Sequence, residues 1–211
     1  MDDEPARRSR DSDLSDLRQE VARILEWVPD PPLTTAERTI RIEAEVAALT
    51  TKIDRLEARL FEDLLAGWII AHGGSVPLVA TIDLFSRAAR ADAERQVLSD
   101  ELYSRIAPES IARWHHVVGA AASRRRAEGL PIPDPQRWRN RTTTVSAHAE
   151  SIVRRTWGTM RSTDFTLLAG ALVQVRLQDG MPVPVTPLDP LADDLAAMVQ
   201  DQLLAEGLPP A

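Results

Sequence analysis

Between Thr34 and His72 the chain runs without a single Pro and meets its first Gly only at Gly67. Within that stretch Ile42, Val46, Leu49, Ile53, Leu56 and Leu60 are spaced four, three, four, three, four. Such a stripe fits only a long helix that lays one seam against a partner helix. Thr34 with Glu37 three residues on forms a capping box that fixes the start, and Gly73-Gly74 fixes the stop. The helix is therefore expected over 34–72. With Val46 and Ile53 at one seam position and Leu49 and Leu56 at the other, the pattern suits a parallel dimer. Lys52 and Glu57 would then attract each other across it. The same stripe also suits an antiparallel hairpin inside one chain, and the helix expected at 76–106 beyond the two-glycine turn favours that arrangement. As an oligomer interface the six seam residues would make a dimer; as a hairpin they would pack at home.

Punctuation along the rest of the chain points to further helices. Leu14, Leu17, Val21, Ile24, Leu25 and Val28 repeat at helical spacing, and Pro29-Asp30-Pro31-Pro32 ends that run. The charged residues 1–10 are expected to form a disordered tail. Leu78, Ile82, Phe85 and Ala89, then Val97, Leu98, Leu102 and Ile106, mark the third helix, with Pro77 in its first turn. A fourth runs from Pro108 to Gly129, so 11–129 reads as a helical domain. Pro131, Pro133 and Pro135 make a stiff linker over 130–136. Beyond it, 137–211 reads as a compact α+β or helical unit. Its expected parts are a short strand near 141–145, a helix from Ala147 to Trp157, another from about 164, and a final helix opened by Asp189-Pro190. For VQVRLQDGMPVPV, residues 173–185, two readings stand. Asp-Gly between alternating apolar residues signals a β-hairpin, whereas Phe165, Leu168, Leu172 and Val175 keep a helix going to Gln178. With the hairpin, the element order is that of a winged helix. The fold class is thus mainly α: a long helical hairpin or coiled-coil arm plus a compact C-terminal unit holding a small β-hairpin.

Charge is unevenly placed. Residues 1–107 carry 14 basic and 21 acidic groups, 108–161 carry 10 Arg against 4 acids, and 162–211 carry 1 Arg against 7 acids. The basic middle block holds RWHHVVGAAASRRRAEG at 113–129. Its Arg124-Arg125-Arg126 triplet has a structural job, offsetting the helix dipole in the last turn. Trp114 falls on the apolar face, and His115 and His116 point about 100° apart, so they share no metal. Gln136-Arg137-Trp138-Arg139-Asn140-Arg141 is different, because Arg alternating with Trp in a loop suits phosphate contact with base stacking. It equally suits plain cation–π packing. Arg137, Trp138, Arg139, Arg141, Arg154 and Arg155 are the nucleic-acid or anion candidates. The helix at the recognition position, DFTLLAGALV, carries no base-reading side chain, which argues against groove readout.

Chemistry is otherwise sparse. The chain has no Cys, which removes disulfides, thiolate nucleophiles and Cys-bound metals. It has no GxGxxG, Walker loop, GxSxG or HExxH. His148-Ala149-Glu150 lacks the CxxC partner of zinc deaminases. Catalytic residues, metal ligands and cofactors are therefore expected to be absent. The charged start is no signal peptide, and apolar runs such as Trp68-Ile69-Ile70-Ala71 are too short to span a bilayer, so a cytoplasmic protein without membrane contact is expected. The expected function is non-enzymatic: a helical interaction or assembly protein that docks a protein partner or self-associates, a dimer being favoured. Nucleic-acid binding through 113–161 is the alternative.

Overall fold

In the computed structural model the described residues are 4–28, 33–128, 134–140, 142–158 and 161–209, with the side chains of 4–13 and of Arg126 excepted. Seven α-helices stand among them: α1 Glu4–Leu25, α2 Thr35–Ala71, α3 Val79–Val97, α4 Pro108–Ala127, α5 Ala147–Trp157, α6 Thr163–Gln178 and α7 Pro190–Ala205. The chain divides into two compact units, Met1–Ile106 and Ala107–Ala211. Helix α4, which the sequence grouped with the first helices, belongs to the second unit. The Pro-rich segment at 130–136 lies largely outside the described residues.

The first unit is built on α2. Its capping box forms as expected: the Glu37 backbone N–H donates to Thr34 Oγ1, and the Thr34 backbone N–H donates to Glu37 Oε2 at 2.8 Å. Its 37 residues give a rod about 55 Å long. Helix α1 runs antiparallel along the first half of α2, held by Arg18 on Glu43 at 2.6 Å and Arg38 on Glu26 at 2.9 Å. It starts at Glu4, so the segment expected to be a disordered tail is helical from that residue. Pro5 sits in the first turn, where its missing N–H is harmless.

Helix α3 returns antiparallel to α2. Four ion pairs fix the register: Arg90 to Asp54 and Glu57 at 2.6 and 3.0 Å, Lys52 to Glu101 at 2.6 Å, and Arg105 to Glu45 at 2.7 Å. Arg90 also holds Glu94 at 2.9 Å. Burial works against its charge, but the hydrogen bonds to Asp54 and Glu57 and the Glu94 carboxylate outweigh it and raise its pKa. After Val97 a π-helical turn, Leu98–Leu102, and a 3-10 turn, Tyr103–Arg105, end the run. They swing Leu102, Tyr103 and Ile106 into the core. Val21 and Ile24 of α1, Val46, Leu49 and Ile53 of α2, and Ala93 and Val97 of α3 are all buried. These residues gather at one end of the rod, where three segments meet. Toward the 72–78 turn only α2 and α3 remain, and burial falls off: Leu56, Leu60, Leu65 and Trp68 are half-buried and Leu64 is exposed.

The second unit wraps around α6. This helix is apolar on every side, as a central helix must be, with Phe165, Leu168, Ala169, Leu172, Val173 and Val175 buried. Helices α5 and α7 and the 3-10 turn Arg137–Asn140 pack on it. Gly170 sits at a close approach: a Cβ there would meet Val145 Cγ atoms at 3.3 Å. No strand occurs among the described residues, so both the strand near 141–145 and the hairpin at 173–185 are corrected. The helical alternative prevails because α6 keeps its apolar spacing to Gln178. The Asp-Gly pair is its stop signal. Gly180 takes φ 64°, its N–H donates to Leu177 O at 3.1 Å, and the Met181 N–H donates to Arg176 O at 2.8 Å. That is a Schellman motif. Residues 181–184 carry no regular secondary structure. Without a wing, the winged-helix order has no structural counterpart.

Candidate protein-interaction surface

The seam residues are occupied within the protomer. Val46, Leu49 and Ile53 are buried, and Ile42, Leu56 and Leu60 are half-buried. The flanking charges expected to cross a dimer are spent at home as well, Lys52 on Glu101 and Glu57 on Arg90. The stripe has closed an intramolecular hairpin, and a dimer through the same residues would have to open it.

The Arg-rich candidates are built into the fold only in part. Trp138 has no exposed surface and lies in the core with Phe165, Leu168 and Leu195; its Nε1 has no hydrogen-bond partner. A side chain so placed offers no face to a base. Arg137 makes a two-pronged contact with Asp179, at 2.6 and 3.0 Å, and reaches Gln178 at 3.1 Å. The Asp179 hydrogen bond, set against some desolvation, raises its pKa further. Arg139 lies over the Trp138 ring at 5.4 Å, the cation–π alternative. Arg154 is exposed and Arg155 half-buried on α5, both engaged by other groups of the chain. Arg141 lies outside the described residues. From the triplet, the Arg125 guanidinium packs directly on Gly180. Trp114 is half-buried against the core, His115 approaches Asp189, and His116 is exposed. Among the described residues of the basic block, Trp138 is buried and Arg137 and Arg155 half-buried, while Arg113, Arg124, Arg125, Arg139 and Arg154 are exposed.

A different surface emerges at the far end of the α2–α3 hairpin. The chain turns through Gly73 and Gly74, with φ of 62° and 85°, conformations that a side chain would strain. Trp68 and His72 stack with ring centroids 3.9 Å apart and planes 9° from parallel, and His72 Nδ1 lies 2.9 Å from Trp68 O. Around this turn stand four aliphatic side chains in solvent: Ile70 at 81%, Val76 at 82%, Leu78 at 78% and Val79 at 74% exposure. Farther along the arm Leu64 and Leu84 are exposed as well. Beside it an open cleft of about 350 Å³ is lined by Glu57, Ala58, Phe61, Ile82, Asp83 and Ser86.

Single exposed aliphatics are ordinary; a cluster of this kind marks a contact site. The sequence carries its signal, since residues 64–82 contain no Asp, Glu, Lys or Arg in a chain that is 27% charged. Periodicity misses it because a helical stripe looks the same whether a third helix covers it or not.

Among the described residues no three His, Asp or Glu side chains gather to hold a metal ion, and no helix is long and apolar enough to cross a membrane. No protein-family model, curated protein or solved structure matches the chain.

Proposed function

We propose that this protein is a non-enzymatic helical assembly protein that docks a protein partner through the tip of its α2–α3 arm. The observation that carries the reading is the cluster of Ile70, Val76, Leu78 and Val79, each at least 74% exposed, in a turn free of formal charge. Leaving such side chains in water forfeits roughly 1.5–3 kcal/mol each relative to full burial. Part of that gain is offset by the cost of association. The arm supplies reach and stiffness: one end is a three-segment core with interlocked ion pairs, and the other is two helices with an uncovered stripe.

A photo-crosslinking residue placed at Val76 in the full chain, in its native cell, tests the reading. Thr39, exposed near the opposite end of α2, is the control site. Discrete protein adducts from position 76 and not from 39 are expected. Equal, diffuse labelling from both would contradict a dedicated docking tip.

A further inference from the structure

We propose that His115 and Asp189 form a proton-operated clamp that fastens α4 to the start of α7 in mild acid. The clamp lies within the second unit and does not depend on the docking tip, which belongs to the first.

The geometry of the pair carries the proposal. The Asp189 side chain has no exposed surface, and its carboxylate is held by two backbone donors. Oδ2 accepts from the Val185 N–H at 2.8 Å and Oδ1 from the Leu191 N–H at 3.0 Å, so its position is set without His115. The His115 ring, 23% exposed, brings Nε2 to 3.1 Å from Oδ2. That nitrogen is buried and makes no hydrogen bond. The pair is close but misaligned. A neutral ring gains little there, because a hydrogen bond weakens steeply off its axis. A neutral ring with its lone pair toward the carboxylate is repelled. A protonated ring gains, because attraction between unlike charges depends on distance rather than alignment and strengthens where water is excluded.

The other charged groups on the elements around the pair stand in solvent or have partners. On α4, Glu109, Arg113 and His116 are exposed, and on α7 so are Asp193 and Asp194. Residues 181–188 carry no charge. Arg176 of α6 donates its Nε to Pro182 O at 2.6 Å, and Arg154 and Arg155 of α5 are engaged by other groups of the chain. Beside His115 the Trp114 ring lies 5.3 Å away, tilted by 55°, and adds no charge. Among the described residues His115 is the one basic side chain within ion-pair distance of Asp189.

Imidazole is the side chain that ordinarily exchanges its proton between pH 5 and 8. A carboxylate alongside favours the protonated form of such a ring. A contribution of this kind is present in full below the ordinary imidazole value of about 6.5 and is lost as the pH rises above it. The clamp sits on α4 between Ile111 and Ala122, which are buried, and next to Trp114, which packs on the core of the second unit. Its closing therefore tightens a helix that is already docked.

Urea denaturation of the full chain, followed by circular dichroism at about pH 5.5 and about pH 8, tests the clamp. Both conditions lie above the ordinary carboxyl range of about 3.9–4.3, so carboxyl groups elsewhere change little between them. Relative to His115→Gln, the wild type should hold a folded-to-unfolded ratio roughly tenfold higher in the acid condition, and the gap should close in the alkaline one. His116→Gln, an exposed neighbour, should show no such pH dependence. In an Asp189→Asn background the His115→Gln effect should vanish, as a coupled pair requires. A His115→Gln gap that is equal in both conditions, or wider in the alkaline one, would reduce His115 to a packing residue and overturn the clamp. Should Asp189→Asn fail to fold, the wild type, His115→Gln and His116→Gln decide the question among themselves.

Discussion

His115 Nε2 on α4 lies 3.1 Å from Asp189 Oδ2, a carboxylate with no exposed side-chain surface. The contact is close without the alignment of a hydrogen bond. Asp189 does more than meet His115: its Oδ2 accepts from the Val185 N–H at 2.8 Å, and its Oδ1 accepts from the Leu191 N–H at 3.0 Å as the cap of α7. One side chain thus meets α4, the bend at 185–186 and the start of α7.

Asp189→Ala should therefore destabilise the second unit by about 2–4 kcal/mol, combining a lost helix cap with a buried N–H left unpaired. Asp189→Asn keeps one acceptor oxygen and should cost less. Urea denaturation followed by circular dichroism checks the order; an Ala variant as stable as wild type would show that the buried carboxylate ties nothing together.

Trp138 behaves as a core residue, so Trp138→Ala should cost about 3–5 kcal/mol. Trp138→Phe should cost distinctly less, since Nε1 makes no hydrogen bond to lose. If Trp138→Ala left stability unchanged and lowered affinity for single-stranded oligonucleotides, the buried placement would be refuted and the stacking role restored.

How far the sequence led can be judged from these residues. Thr34 and Glu37 announced α2, and the Ile42–Leu60 spacing announced a helix-to-helix seam, because capping and periodicity are local. The choice between a dimer and a hairpin was not local; it turned on whether α3 folds back, which the Gly73-Gly74 turn hinted at. Asp179-Gly180 misled in its hairpin reading because a left-handed glycine ends a helix as readily as it turns a strand. Trp138 misled because its flanking Arg residues look alike whether they meet phosphates or, as Arg137 does, a carboxylate of the same chain. The tip was written in the uncharged run 64–82, but its exposure depends on α1 covering only the other end of α2.

Acid should loosen the first unit. Hydrogen bonds from Thr34 to Glu37, from Arg18 to Glu43 and from Lys52 to Glu101 hold these three carboxyls below their ordinary value. A carboxylate whose folded pKa is depressed stabilises fully above its unfolded value, about 4.3, and loses that contribution as pH falls through the lower folded value. The triple variant Glu37→Gln, Glu43→Gln, Glu101→Gln should melt below wild type at neutral pH and converge with it at the acid end. Glu37 and Glu43 are exposed and Glu101 is half-buried, so added salt should narrow the neutral gap. A gap that is constant across pH would contradict the assignment.

The aliphatic tip, Ile70, Val76, Leu78 and Val79, stands open to solvent in the folded chain. Maleimide labelling of Val76→Cys and Leu78→Cys across protein concentration measures this directly, with Ile53→Cys as the core reference. The tip thiols should label near the rate of an unfolded thiol, while Ile53→Cys stays protected throughout. Tip thiols as slow as Ile53→Cys at every dilution would show that the tip is packed inside the protomer, and the account would fail.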